Sequence, residues 1–255
     1  VYFLIPPSEG KTPATTGGAL NLKKLPFAEL NAKRNEMIDA LVALATHKPA
    51  IASKALGLGP TQGDQLDLDR SIRTAHCAAA IEIYTGVLFD HLGYHSLTAR
   101  AKEIAQQSIL ISSALFGFVF PQSPIPAYRL SGSTVLPGIG PLGGFWKPEL
   151  AQVVDTLAKE LIVDMRSGTY SKLAPLPHRE NTIEVKVMTL VKGIRKSVTH
   201  FNKATKGDLL RASVSSTRKF PQHIGGLDSY FRQLGFTAEI EVTQAGRPEL
   251  IILTQ

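Results

Sequence analysis

Ser8-Glu9-Gly10-Lys11-Thr12 sets two hydroxyls, a carboxylate and an ammonium within one short stretch, directly behind Pro6-Pro7. Such groups can hold an anion or move a proton. A lysine offers a point charge to phosphate, and a carboxylate beside it can act as general acid or base. The Gly-Lys-Thr tail matches the end of a phosphate-binding P-loop, but the first glycine of that motif would fall at Ile5. Pro13-Ala14-Thr15-Thr16-Gly17-Gly18 stands where its helix should begin, so the P-loop context is missing. Two readings remain: a surface turn with an ordinary salt bridge, and an anion or ligand site of another kind with Lys11 as its charge. The prolines favour the second, because they fix the backbone and keep Lys11 close to the element before them.

Polar clusters recur along the chain at Tyr84-Thr85-Gly86, at Tyr128-Arg129 and from Arg166-Ser167 to Tyr170. Structural salt bridges do not usually repeat at successive element ends. Convergence on one cleft would join three cations (Lys11, Arg129 and Arg166) with the hydroxyls of Ser8, Thr12, Thr85, Tyr128, Ser167 and Tyr170. Trp146 would offer a stacking face. Glu9, Lys11 and Tyr84 are the candidates for acid–base work in such a cleft. Other motifs carry less. Cys77 in an alanine-rich run reads as a small buried hydrophobe rather than a catalytic thiol. His91 and His95 have zinc-ligand spacing, but Gly93 weakens a helix there and no glutamate accompanies them. Asp64, Asp67 and Asp69 lack the glycine and distal glutamate of a calcium loop and read as a polar turn or helix start. Leu136-Pro-Gly-Ile-Gly-Pro141 resembles the hairpin of a helix-hairpin-helix, yet a plain proline-glycine turn fits it better.

The elements that would position these groups follow from periodicity. Residues 1–5 read as a buried strand stopped by the prolines. Apolar residues at helical spacing predict a helix over 30–44, a second over 74–81 and a third over 97–107. The run over 108–117 reads as a second buried strand that passes into a turn. Pro148 at a first-turn position predicts a helix opening at Lys147, and residues 161–165 read as another buried strand. A strand is expected over 182–191, a short helix over 226–234, and a closing hairpin from 237–242 and 250–254.

The 255 residues suffice for one large domain or two small ones. A hydrophobic share of 44% and a charged share of 19% are ordinary for a globular protein. No apolar run approaches the ~20 residues that span a bilayer, and the N-terminal run is too short for a signal peptide. A single cysteine excludes an intramolecular disulfide, so the cytoplasm is the expected compartment. The net charge of +7 is unevenly spread. Residues 186–219 hold nine basic side chains against Asp208 alone, enough to account for the whole excess. A clustered basic surface suits polyanions, and a solvated helix face is the bland alternative.

Taken in order, the opening strand with its proline, lysine and threonine, Tyr84-Thr85-Gly86, Leu115-Phe116-Gly117, Tyr128-Arg129, Trp146, the segment from Ser167 to Tyr170, and Lys192 with Arg195 resemble the YaaA family. These are bacterial proteins linked to the peroxide stress response. The ordered set covers nearly the whole chain. Pro-Pro-Ser-Glu-Gly-Lys is similar to one subgroup, while other members carry a shorter, acid-free turn, which weighs against a general role for Glu9.

The resemblance implies one mixed α/β domain over 1–255, with a central mixed sheet, surrounding helices and a positively charged cleft. It also implies duplex DNA as a partner and protection of DNA from oxidative damage, partly by limiting free iron. No metal site is visible in the residues and no cofactor is expected, so iron association rests on the resemblance alone. Two functional classes stay open beside a purely structural one. In the first, Lys192, Arg195, Lys196, Lys203, Lys206 and Arg211 neutralise DNA phosphates. In the second, an enzyme takes a small anionic, nucleotide- or nucleobase-like ligand in the Lys/Arg/Tyr/Glu cleft, with no membrane partner in either case.

Overall fold

A computed structural model describes residues 1–191, 194–197 and 201–254. The chain opens with β1 (Tyr2–Ile5), whose Phe3, Leu4 and Ile5 are wholly enclosed, as a strand covered on both faces must be. Helices α1 (Asn31–His47), α2 (Pro49–Ala55) and α3 (Gln65–Arg70) follow. Next come the short β2 (Ala78–Ala79), the single turn α4 (Ala80–Ile83), α5 (Val87–Leu92) and α6 (Ala99–Ser108). Strands β3 (Ile109–Ser113) and β4 (Gly117–Val119) lead to β5 (Pro124–Ile125) and the small hairpin β6 (Val135–Leu136) and β7 (Gly140–Pro141). Helix α7 (Leu142–Thr156), β8 (Ile162–Asp164), α8 (Gly168–Leu173), β9 (Thr182–Val191) and β10 (Ile194–Ser197) come next. Helices α9 (Phe201–Ser215) and α10 (Leu227–Gln233) precede the closing pair β11 (Thr237–Val242) and β12 (Pro248–Thr254).

Eight strands form one mixed sheet in the order β11-β12-β9-β8-β1-β3-β4, with β10 beside the far end of β9. Strands β3, β1, β8, β9 and β12 are parallel, and β4, β10 and β11 pair antiparallel to them. From β1 the chain moves to β3 on one side, then crosses to β8 on the other. The order therefore reverses at β1, and the crevice outside the carboxyl ends of β1 and β8 is where such sheets hold ligands. Pro6 to Lys11 and Met165 to Ser167 leave the sheet at that edge.

Where sequence periodicity and structure differ, hydrogen bonding explains the change. Over 74–81 only the last residues are helical. The amides of Cys77, Ala80 and Ile81 donate instead to the distant carbonyls of Gly18, Ser123 and Pro121, and Ala78–Ala79 pairs with β5. Helix α7 begins at Leu142 rather than Lys147 and carries Pro148 within it. Pro148 has no amide to donate to the Gly144 carbonyl, so the helix forgoes one hydrogen bond in its first turns. Gly93 is left-handed (φ 57°) and closes α5 between His91 and His95, so these histidines do not share a helix face. Leu136 to Pro141 is the β6–β7 turn, preceded by strand rather than helix.

Candidate functional site

Lys11 is held where the strand-end turn meets the end of α4. It pairs with Tyr84 as an isolated antiparallel bridge, and the Thr12 amide donates to the Ile83 carbonyl (2.9 Å). Ser8 tightens the turn: its hydroxyl donates to the Gly10 carbonyl and accepts the Thr85 amide (2.9 Å). Lys11 Nζ donates to the carbonyls of Ser8 (3.0 Å) and Glu9 (3.3 Å) and lies 4.2 Å from the Tyr128 ring centroid. Two of its three protons are thus spent on backbone, and the aromatic face takes part of the charge. Burial pushes the ammonium down to about 8, with Glu9 opposing the shift and Arg129 adding to it.

Asp69 faces this group from α3. Its side chain is fully enclosed, and Oδ1 accepts the Arg129 amide (2.7 Å). Its Oδ2 meets no hydrogen-bond partner among the described residues. Burial pushes the carboxyl up to about 7, against the Arg129 amide bond and the charges of Lys11 and Arg129. A lysine and a carboxyl are thereby drawn toward neutrality from opposite sides, the arrangement that lets one lose and the other gain a proton at ordinary pH. Beside them runs a buried hydroxyl chain. Tyr84 Oη and Tyr128 Oη lie 2.9 Å apart, and Tyr128 Oη is 2.9 Å from Ser113 Oγ. Ser113 in turn accepts the amides of Leu115 (3.3 Å) and Phe116 (3.0 Å). Burial pushes Tyr84 up to about 12 and Tyr128 well above the usual phenol range, so both stay protonated at neutral pH.

Glu9 is half exposed and pairs with Arg129 Nη1 (3.3 Å) rather than with Lys11 Nζ. Both line an open groove of about 710 Å³ shared with Lys54, Gly57 and Ser131. Tyr170 borders the same region, its hydroxyl accepting the Gly132 amide (3.2 Å). Its phenol is raised chiefly by burial and then by the Glu9 charge. Ser8, Glu9, Lys11, Tyr84, Thr85, Tyr128, Arg129 and Tyr170 are therefore neighbours, and Thr12 sits at the exposed rim.

Arg166 faces elsewhere. It is buried and grips Asp164 with Nε to Oδ1 (2.9 Å) and Nη2 to Oδ2 (2.8 Å), then reaches the carbonyls of Ala174 (2.9 Å) and Tyr170 (3.4 Å). With Ser167 it lines a second cleft on the β9 and α9 side. Trp146 is enclosed in the core and donates to the Ala114 carbonyl (2.8 Å), so its ring offers no face to a ligand.

The basic segment divides. Arg195 pairs with Glu239 and Glu241, and Lys186 with Glu184. Arg211 donates to the carbonyls of Leu92 (3.0 Å) and Gly93 (3.1 Å) and to Ser96 (3.0 Å), while Lys206 is buried. Lys196, Lys203, Arg218 and Lys219 are exposed and make no ion pair among the described residues. Lys192 lies outside the described residues. Among those residues no group of three or more His, Cys, Asp or Glu converges to hold a metal ion, and no helix is long and apolar enough to cross a membrane. His91 bonds Asp208 instead (2.9 Å), and Cys77 is buried with its thiol pushed up by desolvation.

Sequence reasoning places Asp69 only in a polar turn or helix start and gives Ser113 no role. Asp69 had a legible signal: it stands in one helical stripe with Leu66 and Ile72, both buried, so its carboxylate had to point inward.

A family model described as "Peroxide stress protein YaaA" matches residues 1–238. A UPF0246 protein of Streptomyces coelicolor is 36% identical over 250 residues, covering 97% of this chain and 96% of its own length. A UPF0246 protein of Corynebacterium efficiens is 37% identical over 257 residues, covering 99% of each. An uncharacterised protein of Campylobacter jejuni is 27% identical over 224 residues, covering 85% of this chain and 86% of its own length. With a family match over nearly its full length and relatives this similar, the chain belongs to the YaaA peroxide stress protein family.

Proposed function

We propose that this protein is a cytoplasmic peroxide-stress protein that binds duplex DNA through its phosphates and limits iron-linked oxidative damage to it. The carrying observation is the set of exposed cations Lys196, Lys203, Arg218 and Lys219, which no carboxylate neutralises among the described residues. They lie on β10, at the start of α9 and just beyond its end. Unpaired lysines and arginines on a protein of net charge +7 attract a phosphate backbone with little reading of bases. Binding should weaken steeply with salt, by roughly −0.9 in the slope of log K against log salt per contacted phosphate. Lys196→Glu, Lys203→Glu and Lys219→Glu combined should flatten that slope. Lys206 and Arg211 are unsuitable for this test, since one is buried and the other ties α9 to the end of α5. A triple variant with the native slope removes the assignment.

One observation favours a second reading, an enzyme acting on a small anionic ligand. Asp69 Oδ2 is buried beside Lys11 without a hydrogen-bond partner among the described residues. A substrate proton would satisfy it, with Asp69 as base and Lys11 or Arg129 holding the anion. Asp69→Asn keeps the shape and should cut turnover of a nucleotide or nucleobase substrate on the order of 10²–10⁴-fold. Equal turnover by variant and native protein excludes this role.

A further inference from the structure

We propose that the cleft between α9, β9 and the turn after β8 is a binding site for a phosphomonoester of nucleoside-monophosphate size, with Lys206 as its phosphate ligand. The cleft measures about 390 Å³, within the range of small-molecule sites. It opens beyond the carboxyl end of β8, next to Pro6, on the crevice where the strand order reverses. This site is separate from Lys11 and Asp69; Lys203 on its lining also belongs to the cations proposed for duplex binding, whereas Lys206 and Asn202 do not.

Lys206 lines the cleft while only 6% exposed. It has no hydrogen-bond or ion-pair partner among the described residues, although two carboxylates are near. Each is already engaged. Arg166 holds both oxygens of Asp164 and adds its own amide to Oδ1 (3.0 Å), and Lys186 holds Glu184. A largely buried lysine whose ammonium meets no acceptor among the described residues is costly unless a ligand supplies one, and a phosphate supplies three. Two further observations converge on the same space. Asn202 and Lys203 line the cleft from the first turn of the 15-residue α9, so the positive end of that helix opens on it. Asn202 Oδ1 is buried without a partner, an acceptor ready for a sugar hydroxyl. Leu88 and Val187 supply an apolar wall for a planar base.

The test is calorimetric titration of the whole protein with adenosine 5′-monophosphate, with adenosine and inorganic phosphate as controls. The nucleotide should bind at least tenfold more tightly than either control. Lys206→Met should weaken it at least tenfold, and so should Asn202→Asp, which sets a negative charge against the phosphate. Aspartate is favourable in a first helical turn, so Asn202→Asp should fold and decides the matter if Lys206→Met does not. Lys206→Met should keep the salt slope for duplex DNA. Adenosine or phosphate binding as tightly as the nucleotide overturns the assignment, and so does nucleotide affinity unchanged in Asn202→Asp.

Discussion

Asp69 concentrates the chemistry of the candidate site in one carboxyl, and its burial has a measurable consequence. Its folded value of about 7 lies above the ordinary carboxylate range. For an acid raised on folding, the stabilising contribution is full below its unfolded value near 4 and is lost as pH rises through 7. Asp69 should therefore cost stability between about pH 4 and 7, on the order of 4 kcal/mol by linkage. Lys11 and Arg129 face it and already reduce that cost. Asp69→Asn removes that cost. Urea unfolding across pH 4–7 should show the variant gaining on the native protein as pH rises. A constant difference would mean that Asp69 ionises in the folded state as it does in water. Glu9 makes a contrasting prediction. It is half exposed and paired across the surface with Arg129, so Glu9→Gln should shift stability by less than about 1 kcal/mol. Duplex binding should be unchanged or slightly tighter, since one negative charge is removed. A large stability loss measured by thermal melting would show that the pair counts for more than its exposure implies.

Elements decide how such residues meet, and α5 packs closely against α9. Gly207 is placed so that an added Cβ would lie 2.5 Å from both His91 Cβ and the Leu88 carbonyl oxygen. The backbone of α5 cannot yield as a side chain end could. Alanine is the better helix former by about 1 kcal/mol, but overpacking costs typically 1–3 kcal/mol and should win. Gly207→Ala should lower the melting temperature, with Leu88 displaced from the wall of the second cleft. A variant as stable as the native protein would show that α5 can slide.

The same elements show what was legible in the sequence. The strand at the N-terminus, the helix over α1 and the β11–β12 hairpin have strong local periodicity, and each appears within a few residues of its expected place. The clustering of Lys11 with Tyr84, Tyr128 and Arg129 follows from their placement at element ends. The inward turn of Asp69 and Lys206 does not follow from composition, because an acid or a lysine counts as surface by default. Each stands in an apolar helical stripe, Asp69 with Leu66 and Ile72, Lys206 with Leu209 and Leu210. A charge inside such a stripe is the signal that was available. The periodicity over 74–81 does not make a full helix because amides there serve carbonyls far away in sequence, which periodicity cannot register.

For the whole molecule, the charge of +7 is a small remainder of cations used in three ways: tied to carboxylates, spent on backbone carbonyls, or left exposed. Lys206 fits none of these, and its cost can be read from alkaline stability. Burial lowers it to about 8, with Asp164 and Glu184 resisting and Lys186 assisting. A base lowered on folding gives stability that is full above its unfolded value near 10.5 and lost as pH falls through 8. Lys206 in its charged form should thus cost about 3 kcal/mol at neutral pH. Lys11, lowered to about 8 as well, acts in the same direction. Tyr84, raised to about 12, acts in the opposite one above pH 10, so the informative window is pH 8–10. Urea unfolding of the native protein should show stability rising across that window. Lys206→Met should rise less and should match or exceed native stability at pH 7.5, because an apolar side chain replaces a buried charge. A methionine variant less stable by the same amount at every pH would make Lys206 an ordinary structural residue. The expected result would show a group that folding alone disfavours, which is the signature of a residue kept for binding.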